Sequence, residues 1–250
     1  MRQISPVATL FAVAVLPLAL TACSATPKAA PKAAPTTAAS KAPAAAAPSA
    51  ATAAVDGPNK GLLTGTQLKA ALAPASFFAA GFTADPADQR DTGPAYRAPA
   101  TAEVPTPDCT KLGGTAWTEI TGITGVSFAQ NAYVNKNTSE EFAQEVDVYQ
   151  GTTATTVLGA LGMLSKACPS YPDEPTHSTV TVTEKPLAGV GDGAWAITET
   201  SPAWQGGTTL VAARVGHSVV TVLVSSSTDK GLAGATKLTN QLVGNLKGKA

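Results

Sequence analysis

Few residues in this chain could do chemistry: three cysteines, two histidines, and scattered carboxylates and hydroxyls. Cys23, Cys109 and Cys168 have no second cysteine or histidine at ligand spacing, so neither a Cys-x-x-Cys redox pair nor a zinc site can be read from them. His177 follows Pro175-Thr176, and His217 follows Gly216 in a tight turn, each without a metal-ligating neighbour. No serine after the leader lies in a Gly-x-Ser-x-Gly elbow, and Ser165-Lys166 are adjacent where a Ser-x-x-Lys site needs two residues between them. Glu140-Glu141 open an expected strand and read as a solvated edge. The run Gly189-Val190-Gly191-Asp192-Gly193 precedes a strand, whereas a phosphate cradle opens a helix, so it reads as a turn. These observations predict no catalytic residues, no metal and no cofactor.

Trp204, in the loop sequence SPAWQGG, stands apart. An aromatic on a Gly/Pro loop can serve as a platform for a sugar or peptide, and Trp204 is taken as a ligand contact beside its simpler use as a cover for the core. Phe77, Phe78 and Phe82, with Tyr96 and Trp117, could line a pocket, but core packing is the expected use.

The third reactive residue, Cys23, belongs to a different chemistry. Arg2 precedes an apolar run from Val7 to Leu20, too short to span a bilayer and interrupted by Pro17. The run has the form of a signal-peptide core. Leu20-Thr21-Ala22-Cys23 follows it and resembles the bacterial lipobox. The resemblance implies that the Cys23 thiol receives a diacylglyceryl group and that small Thr21 and Ala22 admit a protease to the Ala22–Cys23 bond. Two or three acyl chains, at about 0.8 kcal/mol per buried methylene, would anchor the protein stably. Membrane lipid held through acylated Cys23 is thus the one specific partner expected.

From Ser24 to Pro58 the chain is almost entirely Ala, Pro, Thr, Ser and Lys. Prolines at 27, 31, 35, 43 and 48 stop any helix from propagating, and no large apolar side chain is available to bury. The expectation is a disordered stalk reaching about 35 Å as a coil and about 110 Å as extended polyproline. The organisation expected is therefore a leader over 1–22, an acylated Cys23 with its stalk over 23–60, and a globular domain over 61–250. The 17 Lys and Arg balance 17 Asp and Glu, leaving no basic footprint for nucleic acid.

Within the domain, Cys109 and Cys168 form an even pair in an exported chain, which is most simply a disulfide. Apolar spacing predicts a short helix near 65–73, a loop-rich stretch over 75–118, and strands over 126–134 and 142–150. In the second of these strands Phe142, Val146 and Val148 alternate with Glu145, Asp147 and Tyr149. A single helix, capped by Thr152 or Thr153, is expected to end at Cys168-Pro169. Strands at 179–184, 194–200, 208–215 and 218–224 follow, the last two joined by the Gly216-His217 turn, and a helix over 230–246 closes the chain. The fold class predicted is α+β: an antiparallel sheet of about six strands with helices packed on one side and one disulfide.

The segments LLTGTQLKAAL, VGDGAWAITET and VAARVGHSVVTVLV, with Cys109 and Cys168, give the domain a further reading. Over about 60–248 it resembles actinobacterial cell-envelope lipoproteins similar to the extracellular sensor domains of receptor Ser/Thr kinases. The resemblance brings no catalytic residues and implies a binding or sensing role on the extracytoplasmic face of the cell membrane, toward an unidentified envelope ligand or protein. The alternative is an envelope-acting hydrolase, which would need a cleft where His177 or His217 meets Ser, Asp or Glu.

Overall fold

The computed structural model describes residues 57–99 and 106–249, all within one compact unit. Cys23, the leader and nearly all of the stalk lie outside the described residues. The elements are α1 (Gly65–Lys69), β1 (Phe82–Asp91), α2 (Trp117–Thr121), β2 (Ser127–Asn135), β3 (Glu140–Val148), α3 (Thr153–Leu161), α4 (Leu164–Ala167), β4 (Ser170–Asp173), β5 (Ser178–Pro186), β6 (Ala194–Thr200), β7 (Gly207–Val215), β8 (Ser218–Ser226) and α5 (Leu232–Leu246). The strands form one antiparallel sheet in the order β1-β2-β3-β8-β7-β6-β5-β4.

The sheet has eight strands where about six were expected. The two additional strands, β1 and β4, are its two edges. β1 reads FTADPADQRD, with Pro86 and three aspartates, and its register slips between Asp85 and Arg90. β4 is only Ser-Tyr-Pro-Asp. Edge strands bury little and carry Pro and charge against further pairing, so they lack the apolar alternation that marks a strand in sequence.

Helices cover both faces of the sheet, which corrects the expectation of one covered side. One face packs α1 and α5 against Val146, Val211, Val220 and Val222. The opposite face packs α2, α3 and α4 against Ile197, Leu210, Val219 and Leu223. The central strands β7 and β8 are therefore apolar at successive positions, as in Leu210-Val211-Ala212-Ala213. Continuous runs of this kind belong to strands buried on both sides.

Double coverage has a consequence for β3. Glu145, Asp147 and Tyr149, which alternation had placed opposite the core, are all buried under α2 and α3. Glu140 and Glu141 are not on an edge either, because β3 lies between β2 and β8. The helix expected over 152–168 is two helices. Its chain breaks at Gly162-Met163, where a side chain on Gly162 would meet the Trp195 indole within 2.5 Å. Thr152 stands at the N-cap but makes no side-chain capping bond. The glycine run 189–193 is a turn, and Gly191 (φ +57°) leaves no room for a Cβ beside the Arg214 carbonyl. The five aromatics grouped from sequence separate: Phe77, Phe78 and Phe82 pack with Tyr133 and Phe142 beside the first face, while Trp117 is buried in the second. Tyr96 packs at the edge of the first cluster and donates to the Leu62 carbonyl at 2.6 Å.

Candidate functional site

The second face of the sheet changes character at one end. Ile197, Leu210, Leu223 and Ala143 face each other across β6, β7, β8 and β3 and form an apolar row. Two residues further along each strand the row becomes Glu199, Thr208, Ser225 and Glu141. Directly opposed residues of antiparallel strands share a face, so these polar groups stand side by side. Thr208 and Ser225 accordingly join their hydroxyls at 3.0 Å.

A cavity of about 500 Å³ opens over this polar row. Loops β2–β3, β4–β5 and β6–β7 meet here and supply Ser139, Asp173 to Pro175, and Trp204 to Gly206 to its walls. Ser226 and Ser227 at the end of β8 also line it, as do Thr110 and Gly113. Thr110 lies in a 3-10 turn at Cys109–Lys111 and Gly113 follows it, and the Cys109–Cys168 disulfide (Cα–Cα 5.6 Å) ties this turn to the junction of α4 and β4. The bridge thus holds one side of the cavity in place.

Trp204 lines the cavity, where sequence had made it a ligand contact. Its indole N–H donates to Asp173 Oδ2 at 2.9 Å, and Thr176 donates to the same oxygen. The ring is therefore held in one orientation while remaining half-buried. Tyr171 of β4 donates from its hydroxyl to Glu199 Oε2 at 2.6 Å. Glu199 is 1% exposed, and its Oε1 has no partner among the described residues. Burial raises its carboxyl to about 7 against the opposing effect of the Tyr171 hydroxyl. Glu141 is also raised, by burial and by the Asp88 and Asp85 carboxylates. No Lys, Arg or His lines the cavity among the described residues.

Tyr171, Asp173 and Glu199 were not singled out in the sequence. A signal existed for Glu199 alone. Trp195, Ile197 and Glu199 follow one another at period two, so a carboxylate continues a core-facing alternation.

The histidines are not brought to this site. His217 occupies the β7–β8 turn, at the opposite end of the sheet from the β6–β7 loop, with Nδ1 3.0 Å from the Gly151 carbonyl oxygen. His177 takes a positive φ of 50° in the β4–β5 turn and is not among the lining residues. Ser165 lies in α4, its backbone N–H bonded to Glu184. No group of metal-ligating side chains occurs among the described residues. No helix among them is long and apolar enough to cross a membrane.

A second polar cluster lies inside the same face. Glu145 accepts from Thr115 at 2.8 Å, and burial raises its carboxyl to about 7. Asp147, two residues on, is raised well above the carboxylate range by burial and by Glu145. Burial and both carboxylates raise Tyr149 as well.

No protein-family model matches the chain, and no curated protein matches it. Solved structures do. The extracellular domain of PknH from Mycobacterium tuberculosis matches with a TM-score of 0.50 at 12% identity, over 74% of this chain and 97% of that one. An uncharacterised Rv0999 ortholog from Mycobacterium smegmatis matches with a TM-score of 0.37 at 15% identity, over 70% and 93% of the two chains. The described domain has the fold of a PknH-like extracellular domain, the fold that the resemblance in its sequence implied.

Proposed function

We propose that this protein is a non-enzymatic binding or sensing module of the cell envelope, held at the extracytoplasmic face of the membrane through acylated Cys23. The observation that carries the binding role is the cavity beneath the three loops, with Trp204 pinned at its wall and the Glu199 carboxyl beneath it. Pockets of this size, partly preformed and with a few convergent polar groups, are the ordinary form of a small-ligand site. The likeness to an extracellular domain supports the location, and the Leu20-Thr21-Ala22-Cys23 sequence supports the anchor. In this reading the stalk carries the domain away from the lipid surface and the cavity meets soluble envelope components.

Intact mass of the membrane-extracted protein tests the anchor: cleavage before Cys23 with added acyl chains is expected, and an unacylated mass refutes it. Tryptophan fluorescence tests the cavity, because Trp117 and Trp195 pack within the core cluster and Trp204 alone lines the site. A low-molecular-mass digest of the bacterial cell wall is expected to change the emission of the native protein and not that of Trp204→Phe. If mass spectrometry shows components of the digest converted, the module is an enzyme and the proposal fails.

A further inference from the structure

We infer that residues 113–122 form a hinged strap, closed on the sheet while the Glu145–Asp147 pair beneath it holds a proton and opened more often once that proton is lost. This device does not depend on what the cavity binds.

The strap is α2 with Gly113-Gly114 before it and Gly122, at φ +72°, after it. Glycines at both ends let the backbone rotate where other residues resist. Just upstream, the bond from Cys109 to Cys168 fixes the point from which the strap leaves. Among the described residues, one hydrogen bond joins the strap to the sheet: Thr115 donates to Glu145 Oε2 at 2.8 Å. Its other hydrogen bonds stay within residues 108–123, as from the Asp108 N–H to the Ile120 carbonyl at 2.9 Å and from the Thr118 hydroxyl to the Ile123 carbonyl at 3.2 Å. The rest of its hold is apolar, through buried Trp117 and Ile120, and Trp117 Nε1 has no partner among the described residues. A segment with so few bonds to its scaffold opens locally, without the sheet. The stretch it covers adjoins the cavity: Gly113 is a wall residue, and only Ala143 and Leu223 separate Glu145 and Thr221 from the polar row.

Glu145 and Asp147 stand two residues apart on one face of β3 and are 3% and 5% exposed. A hydrogen bond between two carboxyls needs a proton on one of them, and this bond favours the protonated form of Asp147. Tyr149 follows on β3, Thr221 of β8 stands opposite Glu145, and α3 brings no titratable side chain. Glu119 adds a like charge from the strap itself, while Arg90 of β1 and Arg97 favour ionisation from the other side. Both arginines are exposed, and neither forms an ion pair with Glu145 or Asp147. Arg214 shares a row with Asp147 across Val219 but is paired with Asp192 at 3.4 Å. Loss of the proton therefore leaves charge buried under the strap, and lifting the strap brings water to it. Glu145 keeps its proton to about 7 beneath the strap and to 4.5 when exposed, which makes the open form roughly 70-fold more populated at pH 8 than at pH 5. Asp147 acts in the same direction.

The test is hydrogen exchange by NMR on the whole domain with its disulfide intact, at pH 5 and pH 8. The readout is the indole N–H of Trp117, fully buried under the strap, with its rate divided by that of free N-acetyltryptophanamide at the same pH. Its protection is expected to fall at least thirtyfold from pH 5 to pH 8, while staying at least tenfold below that of the β7 and β8 amides. In the double substitution Glu145→Gln, Asp147→Asn, which copies the protonated pair, protection should change less than threefold between the two pH values. If that variant does not fold, Glu145→Gln alone should shrink the native change at least fivefold. Native protection that is the same at both pH values overturns the inference. Protection equal to that of β7 and β8 overturns it too, because opening is then global. A variant that keeps the native pH dependence assigns the effect to another group and also overturns it.

Discussion

Gln144 shows how one buried polar residue can be worth its place in a core. It is fully buried in β3, and its side-chain amide closes two bonds with Ala73, accepting from the backbone N–H at 2.9 Å and donating to the carbonyl at 3.0 Å. The same nitrogen donates to Asn131 at 2.7 Å. These bonds fasten the chain after α1 to the middle of the sheet. Replacing Gln144 with Leu fills the space but strands both Ala73 groups, each costing about 1–3 kcal/mol when buried without a partner. The expected loss for Gln144→Leu is roughly 2–4 kcal/mol in urea unfolding. A loss below half a kcal/mol would show that water reaches Ala73 unaided.

Between elements, the Cys109–Cys168 bridge sets the wall of the cavity. Its cysteines are 59 residues apart, so closing that loop in the unfolded chain contributes about 4 kcal/mol on the chain-entropy model. The double substitution Cys109→Ser, Cys168→Ser is expected to lower stability by about that amount. Amide exchange should then quicken at Thr110 to Gly113 more than in β6, β7 and β8. Uniform quickening across the sheet would mean that the bridge only adds stability and does not position the wall. The pairing was legible in the sequence, because two cysteines left behind an expected leader, with no ligand or redox spacing, are most simply a disulfide. Its place beside the cavity was not, since that depends on β4 joining the sheet through four residues that carry no strand signal.

Across the whole molecule, double coverage makes stability depend on pH in an uncommon direction. Glu145 and Glu199 are each raised to about 7 by burial, and Asp147 well above its ordinary range. A shift from 4.5 to about 7 corresponds to about 3 kcal/mol against the ionised form. In the unfolded chain Glu145 and Glu199 lose their protons near pH 4, whereas in the folded domain they keep them to about 7. Over that interval the unfolded state binds fewer protons, so stability is greatest at the acidic end and is lost as pH rises through the folded value. Thermal unfolding should therefore show a higher Tm at pH 5.5 than at pH 8. Glu145→Gln should raise the Tm at pH 8 and flatten the profile. A Tm that falls steadily on acidification from pH 8 would show these carboxyls ionising as they do in the unfolded chain.

The sequence by itself determined the order of the central elements, the fold resemblance and the loop position of Trp204. Those properties are local: period-two apolar runs, turn residues and cysteine number are written in consecutive residues. Tertiary structure alone decided the two edge strands, the covering of both faces and the cavity. β1 and β4 form because a neighbouring strand offers them a ladder, and their own residues bury too little to announce it. Glu145 and Asp147 are buried because α2 and α3 close over a face that alternation marks as polar. Tyr171, Asp173, Glu199 and Trp204 come from two strands and a loop, up to 33 residues apart in the chain, and only the sheet's register brings them together.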